Sequence, residues 1–568
     1  MRTRSGRIML AMTIILPVVL AGYAGGAEEP TRAPLRPVTE REVSPGRGFV
    51  QPRLDLSHLT GQQLPAGVTA SALPAQWDWR AQGVVTPVKN QGLCGSCYSF
   101  AALANFESRI LVVGGPPFDF SENNAKECNW YQSSCGGGSC DIMANWLSKT
   151  GTVDEICDPY VPSDVACNSS CPYIKTLLDW RIISELSVPS TAVLKQYIYD
   201  YGPVYTSFYA GDGNDPDWED EFNDYDGLYT MYYDGVWLPN HAVLIVGWDD
   251  AMPHDGGTGA WIVKNSWGPS WGGTCGYGTE GGYFTLAYGS ANIGMNSSFI
   301  KAWQDYDSDG DVLFYDEAGA TSYFGSGSTT GWGMCKFVMP ATAYVYRIEF
   351  WTSDITTDVD VYLWDDFTGG TLSTPIDSKL NSSFAEAGYH SVELDSPHEL
   401  TTGEDFYVAV KFTNNSHAWP IPADVTGPNE MGTTYISSDG STWTDLGAAW
   451  GDDVAIRART SVDLPVSVAD TPEPTPYAYS LSHNYPNPFN PATRISYSLE
   501  RRSQVQLVVY NILGQRVATL VDEVMPAGQH TVSWNGTDDS GNMLGSGVYF
   551  YRFKAGDFTD TKKMVLLK

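Results

Sequence analysis

A cysteine becomes a nucleophile where its surroundings favour the thiolate and a second group takes and returns its proton. The run Gln91-Gly92-Leu93-Cys94-Gly95-Ser96-Cys97-Tyr98-Ser99-Phe100-Ala101 offers such a place. Phe100, Leu103, Ala104, Phe106 and Ile110 follow Cys97 at helical spacing, which predicts a helix with one buried face. Cys97 then sits on the first turn, where the positive end of the helix dipole favours thiolate over thiol. Between residues 73 and 300 the only histidines are His241 and His254. His254 lies in a Pro-His-Asp-Gly-Gly turn and reads as a solvated loop residue. His241 opens Asn240-His241-Ala242-Val243-Leu244-Ile245-Val246-Gly247-Trp248, a strand pattern that would hold an imidazole rigidly. The next strand pattern, Ala260–Gly268, carries Asn265, whose amide can orient that ring.

These three segments together resemble the papain family of cysteine peptidases, and the Cys, far-downstream His and Asn order is that family's signature. Leu73-Pro74, Asp78-Trp79-Arg80 and Val85–Asn90 also look like the mature start of such enzymes, so the resemblance covers about 73–300. It implies an α+β fold of a helical lobe and a β-barrel lobe. It implies Cys97 as nucleophile, His241 as base and later acid, and Asn265 as the residue that orients the ring. Trp267 would shield that pair, and Gln91 with the Cys97 backbone N–H would form the oxyanion hole. Cys135-Gly136-Gly137-Gly138 resembles the family's glycine wall, making Gly137, Gly138 and Trp267 the substrate-binding expectation. Tyr98 stands where many members carry Trp. The family's two staples would be Cys94–Cys135 and Cys128–Cys167. Cys140, Cys157, Cys171, Cys275 and Cys335 remain, and spacing does not pair them.

Two acidic runs have two readings each. Asp212–Asp226 reads as a solvated surface loop, or as a site for calcium or for cationic substrates near the cleft. Asp305, Asp307, Asp309, Asp311 and Asp316 follow the ligand rhythm of a structural calcium loop, against the plainer reading of an acidic interdomain turn. No other cofactor is expected.

The rest of the chain must position and deliver this site. Its 568 residues predict about three or four domains. Residues 42% hydrophobic and 17% charged suit folded cores, and a formal charge of −33 excludes a nucleic-acid partner. That acidity falls in residues 73–479, between slightly basic ends. Residues 1–27 read as a signal peptide: Arg2, Arg4 and Arg7, an apolar run from Ile8 to Ala21, then small residues. That run is shorter than the roughly 20 residues a spanning helix needs, so no transmembrane anchor is expected. Residues 28–72, rich in Pro, Gly and Arg, read as an extended segment or propeptide over the cleft.

Beyond residue 300 the pattern changes to short alternating strands, among them Tyr344–Trp351, Val359–Trp364 and Asp405–Phe412. Residues 301–462 resemble a lectin-like β-sandwich, through Phe314–Gly319 and Tyr346–Phe350, which implies surface glycans as a partner. Residues 463–479 read as a Pro-rich linker. Residues 480–568 resemble a type IX secretion sorting domain, through Asn484–Pro491, Tyr510–Gln515, Trp534–Asp538 and Ser546–Phe550. That implies a small immunoglobulin-like sandwich, the secretion machinery as partner, and export through periplasm and outer membrane to the cell surface or medium. The function expected is a secreted cysteine endopeptidase acting on proteins or peptides. The rival is a carbohydrate-binding surface adhesin with a vestigial peptidase domain. Transglutaminase chemistry also runs through a thioester, but these motifs do not support it.

Overall fold

The computed structural model describes residues 30–36, 44–59, 73–463 and most of 479–567. The expected signal peptide and nearly all of the Pro-rich linker lie outside the described residues. The cysteine segment forms helix α1 (Cys97–Val112). It is buried almost all round rather than on one face, down to Asn105, Glu107 and Arg109. The reason is its central position. Helix α2 (Glu122–Cys128) and helix α3 (Cys140–Lys149) pack on one side, and the strand beginning at His241 crosses the other. A helix enclosed in this way has no polar face to keep. Ser121 caps α2 by accepting from the Asn124 N–H.

Helix α4 (Thr191–Tyr201) starts at Ser190, whose hydroxyl accepts from the Val193 N–H. Helix α5 (Pro216–Asn223) lies inside the acidic run that was expected to be a solvated loop. Asp215 caps it through the Trp218 N–H, Pro216 opens it, and Asp217 and Glu219 sit in its first turn, where carboxylates stabilise a helix. Buried Trp218 and Phe222 then tie it to the core.

The predicted β block is not separate from the predicted peptidase block. An 11-stranded sheet runs through both. Strand Ile293–Asp305 crosses the expected boundary at 300/301 and pairs with strand Lys175–Ile182. The outer end of Lys175–Ile182 pairs with strand Ala387–Leu400 of the β block, Trp180 opposite Tyr389. A second sheet of six strands, including Thr357–Thr368 and Asp405–Thr413, faces the β-block part of the first. Val345, Ile348, Phe350, Val361, Val408 and Val410 fill the space between them. Residues from 480 onward form two further sheets of three and four strands around Ile495, Leu507, Tyr551 and Phe553. Among the described residues no helix is long and apolar enough to cross a membrane.

Buried charge also joins the two blocks. The Arg457 guanidinium reaches Asp316 at 2.6 Å, Ser148 Oγ at 2.7 Å and Asn145 Oδ1 at 2.6 Å, the last two on α3. Arg457 and Asp316 are 1% and 0% exposed. Removing one partner leaves the other buried without its hydrogen-bonded countercharge, which costs about 3–5 kcal/mol. Arg457→Ala should therefore lower unfolding stability by about that amount, read by urea denaturation. A loss under about 1 kcal/mol would show that this pair does not bind the blocks together.

Candidate active site

Four stretches of chain converge at Cys97. The turn before α1 is held by the Cys94–Cys135 disulfide and by Gln91, whose N–H donates to Ser266 O at 2.8 Å. Tyr160 adds a hydroxyl that donates to Gln91 O at 2.9 Å and lies 2.7 Å from Ser96 Oγ. His241 begins a strand that pairs with Phe208, and the next residue, Ala242, points its N–H at Cys97 Sγ from 3.3 Å. Asn265 follows directly on strand Gly257–Lys264, one residue past the strand end.

His241 Nε2–H donates to Asn265 Oδ1 at 2.8 Å. An amide oxygen only accepts, so this bond assigns the ring proton to Nε2 and makes Nδ1 the basic nitrogen. Nδ1 is buried and has no hydrogen-bond partner. The Trp267 ring lies 5.4 Å from the imidazole, Phe208 5.8 Å and Phe222 6.3 Å, which keeps water off the His–Asn bond. Gln91 is fully buried beside the nucleophile. Its amide donates to Cys94 O at 2.8 Å and accepts from Ser266 Oγ. Cys97, His241, Asn265, Gln91 and Trp267 are thus brought together.

The glycine wall is present, and its close approaches explain the glycines. A Cβ on Gly137, which has φ +93°, would lie 2.8 Å from Gly48 O. A Cβ on Gly138 would lie 2.8 Å from the Tyr98 ring. The backbone that approaches so closely is residues 44–59 of this chain. Gly138 N–H donates to Gly48 O at 2.8 Å, Val50 N–H to Gly138 O at 3.0 Å, and Phe49 N–H to Asn240 O at 3.0 Å. Trp267 Nε1–H donates to Gly46 O at 2.9 Å. Gly48 crosses directly over the thiol, where any Cβ would fall 1.8 Å from Gly95 O. The expected extended segment therefore fills the cleft.

Burial under this segment reverses the expected ionisation. Desolvation pushes the Cys97 thiol up to about 12, outweighing N–H groups of Ala242, Gly48, Tyr98 and Cys97 that favour the thiolate. Desolvation also lowers His241 to about 3, against the Asn265 hydrogen bond. The helix dipole acts as anticipated, but here exclusion of water exceeds it. In the covered state both groups are neutral.

The segment holds on to both blocks. Strand Thr31–Arg32 adds to the edge strand Ser322–Gly325 of the β block, and Arg32 pairs with Asp452. Leu54, Leu56 and Leu59 are buried, and Arg36 pairs with Glu185. His58 donates to Ser353 O at 2.8 Å and stacks on His417 with ring centres 3.7 Å apart.

The disulfides Cys94–Cys135 and Cys128–Cys167 match the pairing implied by the family resemblance, and Cys157–Cys171 forms a third. Cys97, Cys140, Cys275 and Cys335 are free. The five carboxylates read as a calcium loop are not brought together. Asp316 is taken by Arg457, Asp305 pairs with Lys175, and Asp307 and Asp311 accept from N–H groups of their own turn. Asp309 makes no shared site with them. Among the described residues no cluster of three or more metal-ligating side chains occurs. Sequence reasoning missed Asn240, Ser266 and Tyr160, of which Asn240 and Ser266, each beside a predicted catalytic residue, carried a positional signal. Glu219 and Asn223 lie inside the acidic run Asp212–Asp226, one of whose readings is a site for cationic substrates near the cleft.

Comparison with known proteins agrees with this geometry. Residues 73–302 match the papain family cysteine protease pattern, 312–460 a lectin-like domain and 489–557 a FlgD Ig-like domain. Cysteine proteinase A of Leishmania mexicana is 35% identical over 236 residues, covering 40% of this chain and 58% of that protein. A cathepsin L-like proteinase of Fasciola hepatica is 31% identical over 242 residues, 42% of this chain and 67% of that protein. The chain thus spans between about half and two thirds of the length of the curated relatives it matches. The crystal structure of the cysteine protease and lectin-like domains of Cwp84, a surface layer associated protein of Clostridium difficile, has the same fold. Its TM-score is 0.58 at 19% identity, covering 69% of this chain and 90% of that one. Through residues 73–302, the chain belongs to the papain family of cysteine proteases.

Proposed function

We propose that the protein is an exported cysteine endopeptidase, made as a precursor in which Gly46–Val50, from a propeptide at residues 28–72, cover its own cleft. The observation that carries this reading is the His241 Nε2–Asn265 Oδ1 bond, which leaves Nδ1 as the base on a strand whose next residue, Ala242, points its N–H at Cys97 Sγ. Once the cover leaves, water returns and the two neutral groups can exchange a proton. Nδ1 takes the thiol proton, and the thiolate attacks the peptide carbonyl carbon. The oxyanion accepts from Gln91 Nε2–H and the Cys97 N–H. The intermediate collapses as His241 protonates the departing amine. Water, deprotonated by His241, then hydrolyses the Cys97 thioester and releases the acid and the free thiol.

Cys97→Ala should abolish hydrolysis of a casein-type substrate and processing near Leu73. Gln91→Ala should lower kcat by about 10²–10³ with little change in KM, since an oxyanion donor acts on the transition state. Persistence of both activities in Cys97→Ala would remove the nucleophile from this mechanism.

Acid should loosen the cover. Desolvation lowers both His58 and His417, His417 to about 4, with His58 itself the second cause for His417. Asp354 and Asp55 oppose these shifts without reversing them. Docking thus holds both rings below the ordinary imidazole value of 6.5 and favours their neutral forms. Docking is therefore at full strength above pH 6.5 and weakens as pH falls toward 4. In the Cys97→Ala chain, hydrogen-exchange protection of residues 30–36 and 44–59 should fall between pH 7 and pH 5, and His58→Phe together with His417→Phe should remove that fall. Equal protection at both pH values would contradict it.

The export route rests on the N-terminal Arg-then-apolar run and on the resemblance of residues 480–568 to a type IX sorting domain. A surface or extracellular location agrees with the surface-layer setting named for Cwp84. The lectin-like match supports a second role for the β block, binding surface glycans. An aromatic platform supports it: Tyr362, Trp364, Phe367, Tyr435 and Trp443 lie half-buried around Tyr407 on one face of the six-stranded sheet. Sugar rings stack on such faces. Trp364→Ala should reduce glycan-array signals by about tenfold, the scale of about 1–1.5 kcal/mol for one lost aromatic contact. An unchanged signal, or none for the parent chain, would leave the block a spacer.

A further inference from the structure

Residue 47 shows what the cleft was shaped to hold. Arg47 precedes the glycine that crosses the thiol, and its side chain turns into a pocket made wholly by the enzyme body. Nε–H donates to Ala210 O at 3.0 Å, Nη1 to Glu219 Oε1 at 2.9 Å and Nη2 to Asn223 Oδ1 at 2.9 Å. The guanidinium carbon lies 5.7 Å from the Trp267 ring centre. Three edges of one planar cation thus meet three acceptors, and one face meets an aromatic ring. An ammonium could satisfy only part of that fork.

The pocket is rigid without its occupant. Glu219 Oε2 accepts from the Gly213 N–H at 2.6 Å, and Gly211, φ +91°, lies so close that a Cβ there would meet Glu219 Cβ at 2.6 Å. Asn240, next to His241, holds the same loop by donating to Gly211 O at 2.6 Å and accepting from the Ala210 N–H at 2.9 Å. Phe222 of α5 packs on Trp267 at 5.0 Å. The acidic helix is therefore tied at both ends to catalytic neighbours.

We infer that this pocket, built by Glu219, Asn223, Ala210 O and Trp267, is a specificity site for an arginine side chain of the substrate, on the leaving-group side of the scissile bond. The inference rests on the peptidase reading above. The pocket opens beside the Trp267 shield of His241, the group that protonates the departing amine, whereas Phe49 and Val50 run off along Gly138 on the other side of the thiol. The cover occupies the pocket with Arg47 and vacates it on release. Glu219 acts as a specificity residue and takes no part in the bond-breaking step.

The test uses the processed protein and quenched fluorescent peptides that differ only in carrying Arg, Lys, Gln or Asp at the first two positions after the scissile bond. The Arg peptide should exceed the Gln peptide by about tenfold to a hundredfold in kcat/KM, the scale of charged hydrogen bonds. Lys should fall between them and Asp last. Glu219→Gln should bring the Arg to Gln ratio within about threefold, and Glu219→Lys should favour Asp. Those two effects follow from a carboxylate that pairs with substrate. Hydrolysis with equal rates for Arg and Gln in the parent protein overturns the inference and leaves the peptidase reading standing. If no peptide is cleaved, the peptidase reading fails instead. Binding of the same peptides to the processed protein, read by fluorescence anisotropy, then decides the pocket alone: an Arg preference keeps it and its absence overturns it.

Discussion

One hydrogen bond, from His241 Nε2–H to Asn265 Oδ1, is the constraint on which the rest of the site depends. It decides which ring nitrogen is basic and therefore which side of the imidazole can serve a thiol. Holding it requires a strand for the histidine, a second strand ending at the asparagine, and an aromatic wall to exclude water. It also requires α1 to deliver Cys97 from the other lobe. The Cys94–Cys135 disulfide holds the turn before α1, and the Gln91–Ser266 contacts fasten that turn to the strand side at the point where the two groups meet.

The same closeness makes the covered site inert. Glycine at residue 48 lets this backbone run so close to Gly95 that any Cβ would clash, and once there it removes the water on which both charges depend. Thiol rises, imidazole falls, and no ion pair forms. The cover is not held by the cleft alone. It is stitched to the β block by a strand pair, the Arg32–Asp452 pair and the His58–His417 stack, so the lectin-like domain takes part in holding the cover in place. The sheet that runs unbroken from one block to the other, with the Arg457–Asp316 pair behind it, gives that clamp a fixed geometry.

Much of the site is legible in the amino-acid order alone, because Cys97, His241 and Asn265 each sit in a dense local motif. The two expected staples, the glycine wall and the strand-rich character after residue 300 are legible for the same reason. What cannot be read there depends on contacts far apart in sequence. Nothing near Ser298 or Trp180 announces that Lys175–Ile182 will pair with residues 387–389. Cys157–Cys171 requires knowing which loops meet. The helix at 216–223 does carry a cap and an initiating proline, but eight acidic side chains nearby make a solvated loop the simpler reading. The cationic-substrate reading of that acidic run takes shape at Glu219 and Asn223 only beside Arg47, some 170 residues away. The expected thiolate fails for a different reason, since burial by a remote segment outweighs the local helix dipole.

The central claim is that Cys97, and no other thiol, carries an acyl group during turnover. Acid-quenched peptide mapping by mass spectrometry, during reaction of the processed protein with a slowly deacylating peptide ester, tests it most directly. The account predicts one acyl thioester, on Cys97, absent in Asn265→Ala at early times and absent from Cys140, Cys275 and Cys335. An adduct on another cysteine, or steady hydrolysis with Cys97 never acylated, would contradict it.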